Sequence, residues 1–169
     1  MPRQRRRLLL ALVILAAQLS PAAQAETATL AYQLVVHTTE VHALDVPGDP
    51  GHQVGSAAFR GLAIFADGRI AHHAYAGSFD FTDGAGPFQG YASWLFEDGS
   101  RLASRYTGKA VAGAAGGITF TGSHDDLTGT GAYAGVSGRG TFEGKRLDLL
   151  GDGGDTWQRG RLELELPDG

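Results

Sequence analysis

Six histidines are the most versatile side chains of this sequence, because imidazole can bind a metal or transfer a proton near neutral pH. His72 and His73 are adjacent, but neighbouring side chains of a strand point to opposite faces, so the two cannot enter one cavity. The other four are far apart in the sequence: His37, His42, His52 and His124. Their spacing matches no metal-binding motif. We therefore expect surface or loop histidines and no metal site.

Other reactive groups do not form recognisable patterns either. The chain has no cysteine, and its serines include no Gly-x-Ser-x-Gly elbow of the kind that exposes a nucleophile. The run from Gly151 to Asp155 resembles a calcium-binding glycine-aspartate repeat, but it occurs once, whereas such sites are built from stacked copies. We interpret this run as a loop, and we expect no cofactor.

A mixture of aromatic and charged residues between positions 69 and 110 is the best candidate for a ligand site, because small-molecule pockets combine apolar walls with a few orienting polar groups. Asp80 and Arg105 are the candidate catalytic residues, as charged groups able to polarise a substrate. The candidate pocket residues are Tyr75, Phe79, Tyr91, Trp94, Phe96 and Tyr106. Two alternatives stay open: Trp94 and Phe96 could be ordinary core residues, and Arg105 could face water.

Short alternating segments separated by glycine-rich turns must position these residues. Alternation of apolar and polar residues with a period of two is typical of half-buried strands, and it is clearest over residues 156–166. Asp-Gly pairs at positions 67–68 and 98–99 are strong hairpin signals. The predicted strands cover residues 27–36, 54–66, 69–79, 88–97, 100–110, 118–124, 136–142 and 156–166. A loop rich in proline and glycine is predicted over residues 43–51.

Eight short strands joined by hairpins predict an all-β fold. We expect an eight-stranded antiparallel up-and-down barrel, formed by residues 26–169 as a single domain. Closure of the sheet leaves no free edge. The interior of such a barrel is either filled by side chains or holds one small ligand. An open β-sandwich is the alternative that the same alternation permits. The inward face is undecided, because a bulge reverses the phase of a strand.

Two segments resemble the superfamily of allene oxide cyclase and dirigent barrels. They are residues 90–100, GYASWLFEDGS, and residues 127–140, LTGTGAYAGVSGRG. The second is similar to the Gly-Gly-Thr-Gly turn of that superfamily, followed by an aromatic residue and a strand entered through small residues, although Thr128 stands at the first of the paired glycines. The resemblance covers about residues 54–142 and rests on turn motifs.

The resemblance implies a calycin-like, eight-stranded barrel of a kind that often forms trimers. Members of the superfamily close an unstable fatty-acid epoxide into a cyclopentenone, steer the coupling of phenolic radicals or, among related bacterial barrels, act as pericyclic cyclases. None of the acids or histidines of this chain aligns with the residues that act in the plant members. The cysteine that some cyclases place in the cavity has no counterpart here. The resemblance therefore implies the barrel rather than one reaction.

The first 25 residues have the three parts of a secretory signal: a basic start, an apolar run and small residues at the cleavage site after Ala25. We therefore expect a secreted or periplasmic protein with a signal peptide at residues 1–25. The remaining chain has 10 basic and 18 acidic residues, which makes nucleic acid and anionic lipid poor partners. No membrane association is expected after cleavage.

Two functions fit these expectations. In the first, the barrel binds a small apolar or phenolic molecule in its interior and guides a cyclisation or a stereoselective coupling, mainly by holding a reactive conformer. In the second, it is a noncatalytic carrier or a scaffold with a filled interior. A cavity of about 300 Å³ or more, lined by aromatic side chains, favours a ligand, and a packed interior favours a scaffold.

Overall fold

The eight strands of this chain close into one barrel. The computed structural model describes residues 26–113, 117–148 and 150–167, so the predicted signal peptide lies outside the described residues. Each strand is antiparallel to the next, and β1 closes the sheet by pairing with β8. The strands are β1 (Glu26–Asp45), β2 (His52–Phe65), β3 (Ile70–Thr82), β4 (Gly86–Phe96), β5 (Arg101–Ala112), β6 (Ile118–Thr130), β7 (Ser137–Arg146) and β8 (Thr156–Leu166). The predicted barrel is confirmed, and the open sandwich is not formed.

Two strands, β1 and β6, extend furthest beyond the bounds that their sequence pattern predicts. β1 continues to Asp45, where it pairs with Gln53 of β2, so the loop predicted from residue 43 begins at residue 46. β6 continues past His124 to Thr130 because β5 supplies partners as far as Arg101. In both cases pairing with a neighbour in the barrel outweighs the local sequence preference. β8 has the predicted bounds.

One end of the barrel is closed by a plug of side chains, and we call it the plugged end. Between β6 and β7 a single 3₁₀ turn, Gly131–Tyr133, buries the ring of Tyr133 against Phe96, with the ring centroids 5.2 Å apart. Arg69 donates a hydrogen bond to the Tyr133 hydroxyl, and its guanidinium lies 5.2 Å from the Phe96 centroid and 5.8 Å from that of Phe65. Aromatic rings and one cation therefore fill this end.

Large aromatic rings fill the interior, and glycines on neighbouring strands make room for them. A Cβ at Gly160 of β8 would lie 2.5 Å from Cζ of Tyr32 in β1. A Cβ at Gly108 would lie 2.6 Å from Cε2 of Phe88, and one at Gly144 would lie 2.5 Å from Cζ of Phe120. Glycines within strands thus mark close approach here, as well as turns.

A bulge in β6 changes which residues of that strand face inward. Ala103 pairs with Thr128 and Arg105 pairs with Asp125, so β6 contains one residue more than β5 over this stretch. Two residues, Asp126 and Leu127, lie between Asp125 and Thr128, and Asp126 has a φ of 54°. His124 and Leu127 are both buried although three positions separate them. Because of the bulge, residues of β6 on both sides of it face the interior of the barrel.

The outer face of the barrel is mostly polar where β7 and β8 lie side by side. Arg139 and Arg161 both form ion pairs with Glu163, and Arg159 pairs with Glu143. These outward side chains alternate with the buried Leu162 and its neighbours, as the sequence pattern of β8 predicts. In the part of the chain that the structure describes, no helix has the length and apolarity needed to span a membrane.

Candidate functional site

A cavity lies inside the barrel towards the end opposite the plug, which we call the cavity end. Its volume is about 60 Å³. All eight strands except β1 contribute to its wall, together with Leu150 from the short 3₁₀ turn Leu150–Asp152. The aromatic lining residues are Phe59, Tyr75, Phe79, Phe81, Phe88, Tyr106, Phe120 and Phe142. The lining residues with polar side chains are His73, Ser78, His124, Arg146, Thr156 and Gln158.

This volume is far below the 300 Å³ that a drug-sized ligand requires. At about 10–15 Å³ for each water position, it offers room for about four to six water molecules. It is also smaller than the cavity of about 150 Å³ that accepts benzene. The interior is therefore largely filled.

The aromatic wall holds its rings in contact with one another. Phe59 stacks on Tyr75 with centroids 4.3 Å apart, and Phe79 stacks on Phe81 at 4.8 Å. Tyr75 meets Tyr106 edge to face at 5.8 Å. Stacked and edge-to-face contacts are the favourable arrangements of aromatic pairs. The wall therefore consists of aromatic rings packed against one another, which would present both ring faces and ring edges to an aromatic ligand.

His124 is the centre of a buried hydrogen-bond network. Its Nδ1 lies 2.9 Å from the Ser104 hydroxyl, and its Nε2 lies 3.0 Å from the hydroxyl of Tyr32. Gln158 donates a hydrogen bond of 3.0 Å to the same Tyr32 hydroxyl. Four strands, β1, β5, β6 and β8, are joined by this network in the middle of the barrel. It fixes the orientation of the imidazole, and hence of one wall of the cavity.

Burial keeps both interior histidines neutral. Loss of hydration lowers the pKa of His124 to about 4. For His73, burial and, secondly, the proximity of His124 lower the pKa to about 3, against a small opposing effect of a backbone hydrogen bond with Ser93. At neutral pH these two side chains therefore act as neutral hydrogen-bond donors and acceptors.

Burial also keeps the interior tyrosines protonated. Loss of hydration raises the pKa values of Tyr32, Tyr75 and Tyr106 far above the usual value for a phenol. Hydrogen bonding from Gln158 opposes this effect at Tyr32 but is weaker than burial. Phenolate chemistry is consequently disfavoured here, and the hydroxyl groups remain available as neutral donors.

Three interior side chains have a buried nitrogen without a hydrogen-bond partner. The atoms are Nδ1 of His73, Nε1 of Trp94 and Nε of Arg146. His73 and Arg146 line the cavity, and the ring of Trp94 lies 4.9 Å from that of His73. A buried polar atom left unpaired costs about 1–3 kcal/mol, so most native proteins pair such atoms. Two of the three side chains with such an atom, His73 and Arg146, thus line the cavity.

The structure divides the predicted pocket residues into three groups. Tyr75, Phe79 and Tyr106 line the cavity. Trp94 and Phe96 face the interior but lie beyond the cavity, towards the plugged end, so the alternative that they are core residues agrees with their position. Tyr91 points outward with 72% of its surface exposed, because the alternation of β4 places Ala92 and Trp94 inside.

Asp80 and Arg105, the predicted catalytic residues, are not brought together and lie on the outer face. Phe79 and Phe81 occupy the interior positions of β3, so the intervening Asp80 points outward and contacts His52 at 2.6 Å. Arg105 lies between the buried Ser104 and Tyr106 and pairs with Asp126 at 3.3 Å. These positions correct the expectation that the two charges would face a bound molecule.

The histidines also differ from expectation at two positions. His73 and His124 are buried inside the barrel, whereas surface or loop positions were expected. His72 points outward and His73 inward, as the strand geometry predicts. His73 is two residues from Tyr75 and His124 is four from Phe120, so each histidine shares the phase of an aromatic residue, but this phase identifies buried positions only once the inward face of the strand is known. Arg146, likewise, is in phase with Phe142 along β7.

The remaining histidines lie away from the cavity lining. Outside the cavity, His52 contacts Asp49 at 2.8 Å and Asp80 at 2.6 Å, and hydrogen bonds to Asp80 first and Asp49 second raise its pKa. Within residues 26–113, 117–148 and 150–167, no group of three or more His, Cys, Asp or Glu side chains is placed to hold a metal ion. The run from Gly151 to Asp155 is a loop between β7 and β8.

Comparison with known proteins adds one structural similarity. No protein-family model matches the sequence. The search of curated proteins gave no match either. Among solved structures, the chain is similar to that of a pterocarpan synthase dirigent protein, with 13% sequence identity and a TM-score of 0.44, over 91% of this chain and 99% of that one. At this level the similarity concerns the barrel fold alone.

Proposed function

We propose that this protein binds one small, mainly apolar or phenolic molecule in the cavity of the barrel. The observation that carries the proposal is the set of unpaired polar atoms, Nδ1 of His73 and Nε of Arg146, in a cavity whose other walls are aromatic. Packing alone does not account for them, because apolar residues of similar volume would fill the same positions without leaving polar atoms unpaired. A ligand would satisfy them.

The volume of the cavity sets the size of the proposed ligand. At about 60 Å³ the cavity is smaller than the 150 Å³ or so that accepts benzene, so a ligand can have one ring at most, such as a simple phenol or a benzyl derivative, and the wall must widen to admit it. Coupling of two phenolic rings would need more room. Guided cyclisation of a bound molecule remains compatible with this site, because neutral side chains and rigid walls could hold one reactive conformer. We therefore place binding first and a guided cyclisation second.

A scaffold barrel with a filled interior is the second candidate, and the small volume of the cavity favours it. In that case the cavity would hold only water, which needs two to four polar partners. The unpaired atoms of His73 and Arg146 could supply such partners. The two candidates differ in one measurable property, which is saturable binding of an aromatic compound inside the barrel.

Amide NMR titrations with phenol and benzyl alcohol test the proposal. We expect saturable shifts confined to residues around the cavity, such as Tyr75, Tyr106 and Phe142. The variant Trp157→Phe adds a second readout, because it leaves the buried Trp94, 5.0 Å from His124, as the one fluorescent tryptophan. Its emission should change on binding, since the ligand would approach the histidines beside it.

A cavity-filling variant makes the test specific. Ala57 lines the cavity, so Ala57→Leu should abolish binding while the barrel remains folded by thermal unfolding. Ala76→Leu is the matched control, because Ala76 is exposed on the outer face of β3. Shifts spread over the outer face, or binding that survives Ala57→Leu, would contradict the proposal and favour the scaffold.

A further inference from the structure

We propose that the ligand carries a carboxylate that Arg146 binds, so that the cavity is a site for an aromatic monocarboxylate with a single ring. This inference rests on the proposed function and adds to it the charge of the ligand.

Arg146 is the last residue of β7, and its side chain turns into the cavity end of the barrel. It follows the inward positions Phe142 and Gly144 of the same strand. The side chain is partly buried, lines the cavity and lies over the ring of Phe81, with the guanidinium carbon 5.6 Å from the ring centroid. Burial lowers the pKa of this group, but an arginine guanidinium remains charged in proteins. The cavity therefore contains a fixed positive charge.

This charge has no acidic partner in the part of the chain that the structure describes. The arginines that form ion pairs there do so on the outer face or at the plugged end: Arg69, Arg105, Arg139, Arg159 and Arg161. Arg146 is in none of these pairs, and its Nε is buried without a hydrogen-bond acceptor. A desolvated cation without a counter-ion is unfavourable, so a bound anion would relieve a cost that the free protein carries.

A carboxylate is the anion that suits both the guanidinium and the cavity. The planar fork of a guanidinium donates two parallel hydrogen bonds to the two oxygens of a carboxylate. The aromatic walls formed by Phe81, Phe88 and Phe120 would hold the ring attached to it. Nδ1 of His73, deeper in the cavity, is available for a hydroxyl group on that ring. Benzoate and 4-hydroxybenzoate are therefore suitable probes.

The experiment compares benzoate with benzyl alcohol, which has the same ring and no charge. Titration calorimetry or amide NMR should show that benzoate binds the wild-type protein about ten- to a hundredfold more tightly, as expected for hydrogen bonds between charged groups. In Arg146→Met, benzoate should lose this advantage while the affinity for benzyl alcohol changes little. Arg146→Lys keeps the charge and should retain part of the preference for benzoate.

Lys145→Met is the matched control. Lys145 is the neighbouring residue of β7, carries the same charge and is exposed on the outer face, so its loss should leave the ratio of the two affinities unchanged. Thermal unfolding of each variant shows whether the barrel is intact. Arg146→Met should be at least as stable as the wild type, because it removes a desolvated charge.

Three results would be decisive against the inference. Equal affinities of the wild type for benzoate and benzyl alcohol would overturn it, as would a ratio that is the same in Arg146→Met. In either case benzyl alcohol would still bind, so the proposed function would stand while the carboxylate would not. Failure of every aromatic compound to bind, neutral or charged, would overturn the proposed function together with the inference.

Discussion

The two histidines buried inside the barrel make it sensitive to acid, because both side chains must stay uncharged in the folded state. The unfolded chain has histidine pKa values of about 6.5. In the folded protein burial lowers the pKa values of His73 and His124 to about 3 and about 4. Below pH 6.5 the unfolded chain therefore takes up protons that the folded barrel does not.

Burial of these two histidines makes the barrel less stable as the pH falls. The stability associated with a depressed histidine pKa is fully present above about pH 6.5 and is lost as the pH falls towards the folded values. In this range each buried histidine lowers the free energy of unfolding by up to about 1.4 kcal/mol for each unit by which the pH falls. His52 has the opposite sign, because hydrogen bonds to Asp80 and Asp49 raise its pKa, so its contribution is lost as the pH rises.

We predict that His73→Phe makes the barrel less sensitive to acid. The phenyl ring has a similar shape, takes up no proton and removes the unpaired Nδ1 atom. Between about pH 6.5 and about pH 4.5, the free energy of unfolding should fall less steeply, by about 1.4 kcal/mol for each pH unit. Urea unfolding at several pH values measures this slope.

His72→Phe is the control for this prediction, because His72 is the preceding residue of β3 and points to water. It should leave the slope unchanged. If His73→Phe has the slope of the wild type, then His73 takes up its proton in the folded barrel and is not held neutral.

At the scale of the strand, glycines determine how much aromatic surface the barrel can enclose. Tyr32 lies over Gly160, Phe88 over Gly108, and a Cβ at either glycine would meet the ring. Each ring covers the backbone of the glycine on the neighbouring strand, which a side chain at that position would otherwise cover. The strands thus alternate large rings with glycines, so the interior is filled without the rings overlapping.

We predict that Gly160→Ala destabilises the barrel by about 1–3 kcal/mol, the usual cost of overpacking. Its Cβ would lie 2.5 Å from Cζ of Tyr32, whose hydroxyl also anchors the hydrogen bonds of His124 and Gln158. Chemical denaturation measures the loss. Gly151→Ala is the comparison, because a Cβ there meets no atom within 4 Å and the expected change is close to zero. Equal stability of both variants would mean that Tyr32 moves freely.

The periodicity of the strands explains how much could be predicted from the sequence. Alternation and the Asp-Gly turns predict eight strands because both depend on local sequence, whereas closure into a barrel depends on the pairing of β1 with β8, so the open sandwich stayed an alternative. The inward face was not predictable, since it depends on pairing. The bulge at Asp126 shifts the phase of β6, and the interior positions of β3 leave Asp80 outside. Gly160 lies inside the predicted strand 156–166, but its close approach to Tyr32 was not predictable, because it is made across the pairing of β8 with β1.

At the scale of the whole molecule, the two ends of the barrel differ in how they are closed. Tyr133, Phe96 and Arg69 fill the plugged end with packed rings and a cation. The cavity end has empty space between its aromatic walls, and, among the residues that the structure describes, Leu150 is the one lining residue outside the strands. Access to the cavity, and the size of molecule it accepts, should therefore depend on the connection between β7 and β8.

We predict that Leu150→Ala shifts the size preference of the cavity from one ring to two. Removing the side chain extends the cavity at its end, so the affinity for 2-naphthol relative to phenol should rise about tenfold, which corresponds to about 1.4 kcal/mol. Both compounds are neutral, so the result does not depend on Arg146. Stability should fall by less than the 2–5 kcal/mol of a fully buried leucine, because Leu150 is only partly buried.

Leu147→Ala controls for the loss of a leucine from the same connection. Leu147 is 60% exposed and does not line the cavity, so the ratio of the two affinities should stay at the wild-type value. An unchanged ratio in Leu150→Ala would show that the rings of the strands, and not this connection, limit the size of the ligand. The enlarged preference would instead identify the connection between β7 and β8 as the element by which the barrel selects its ligand, while the strands supply the walls that hold it.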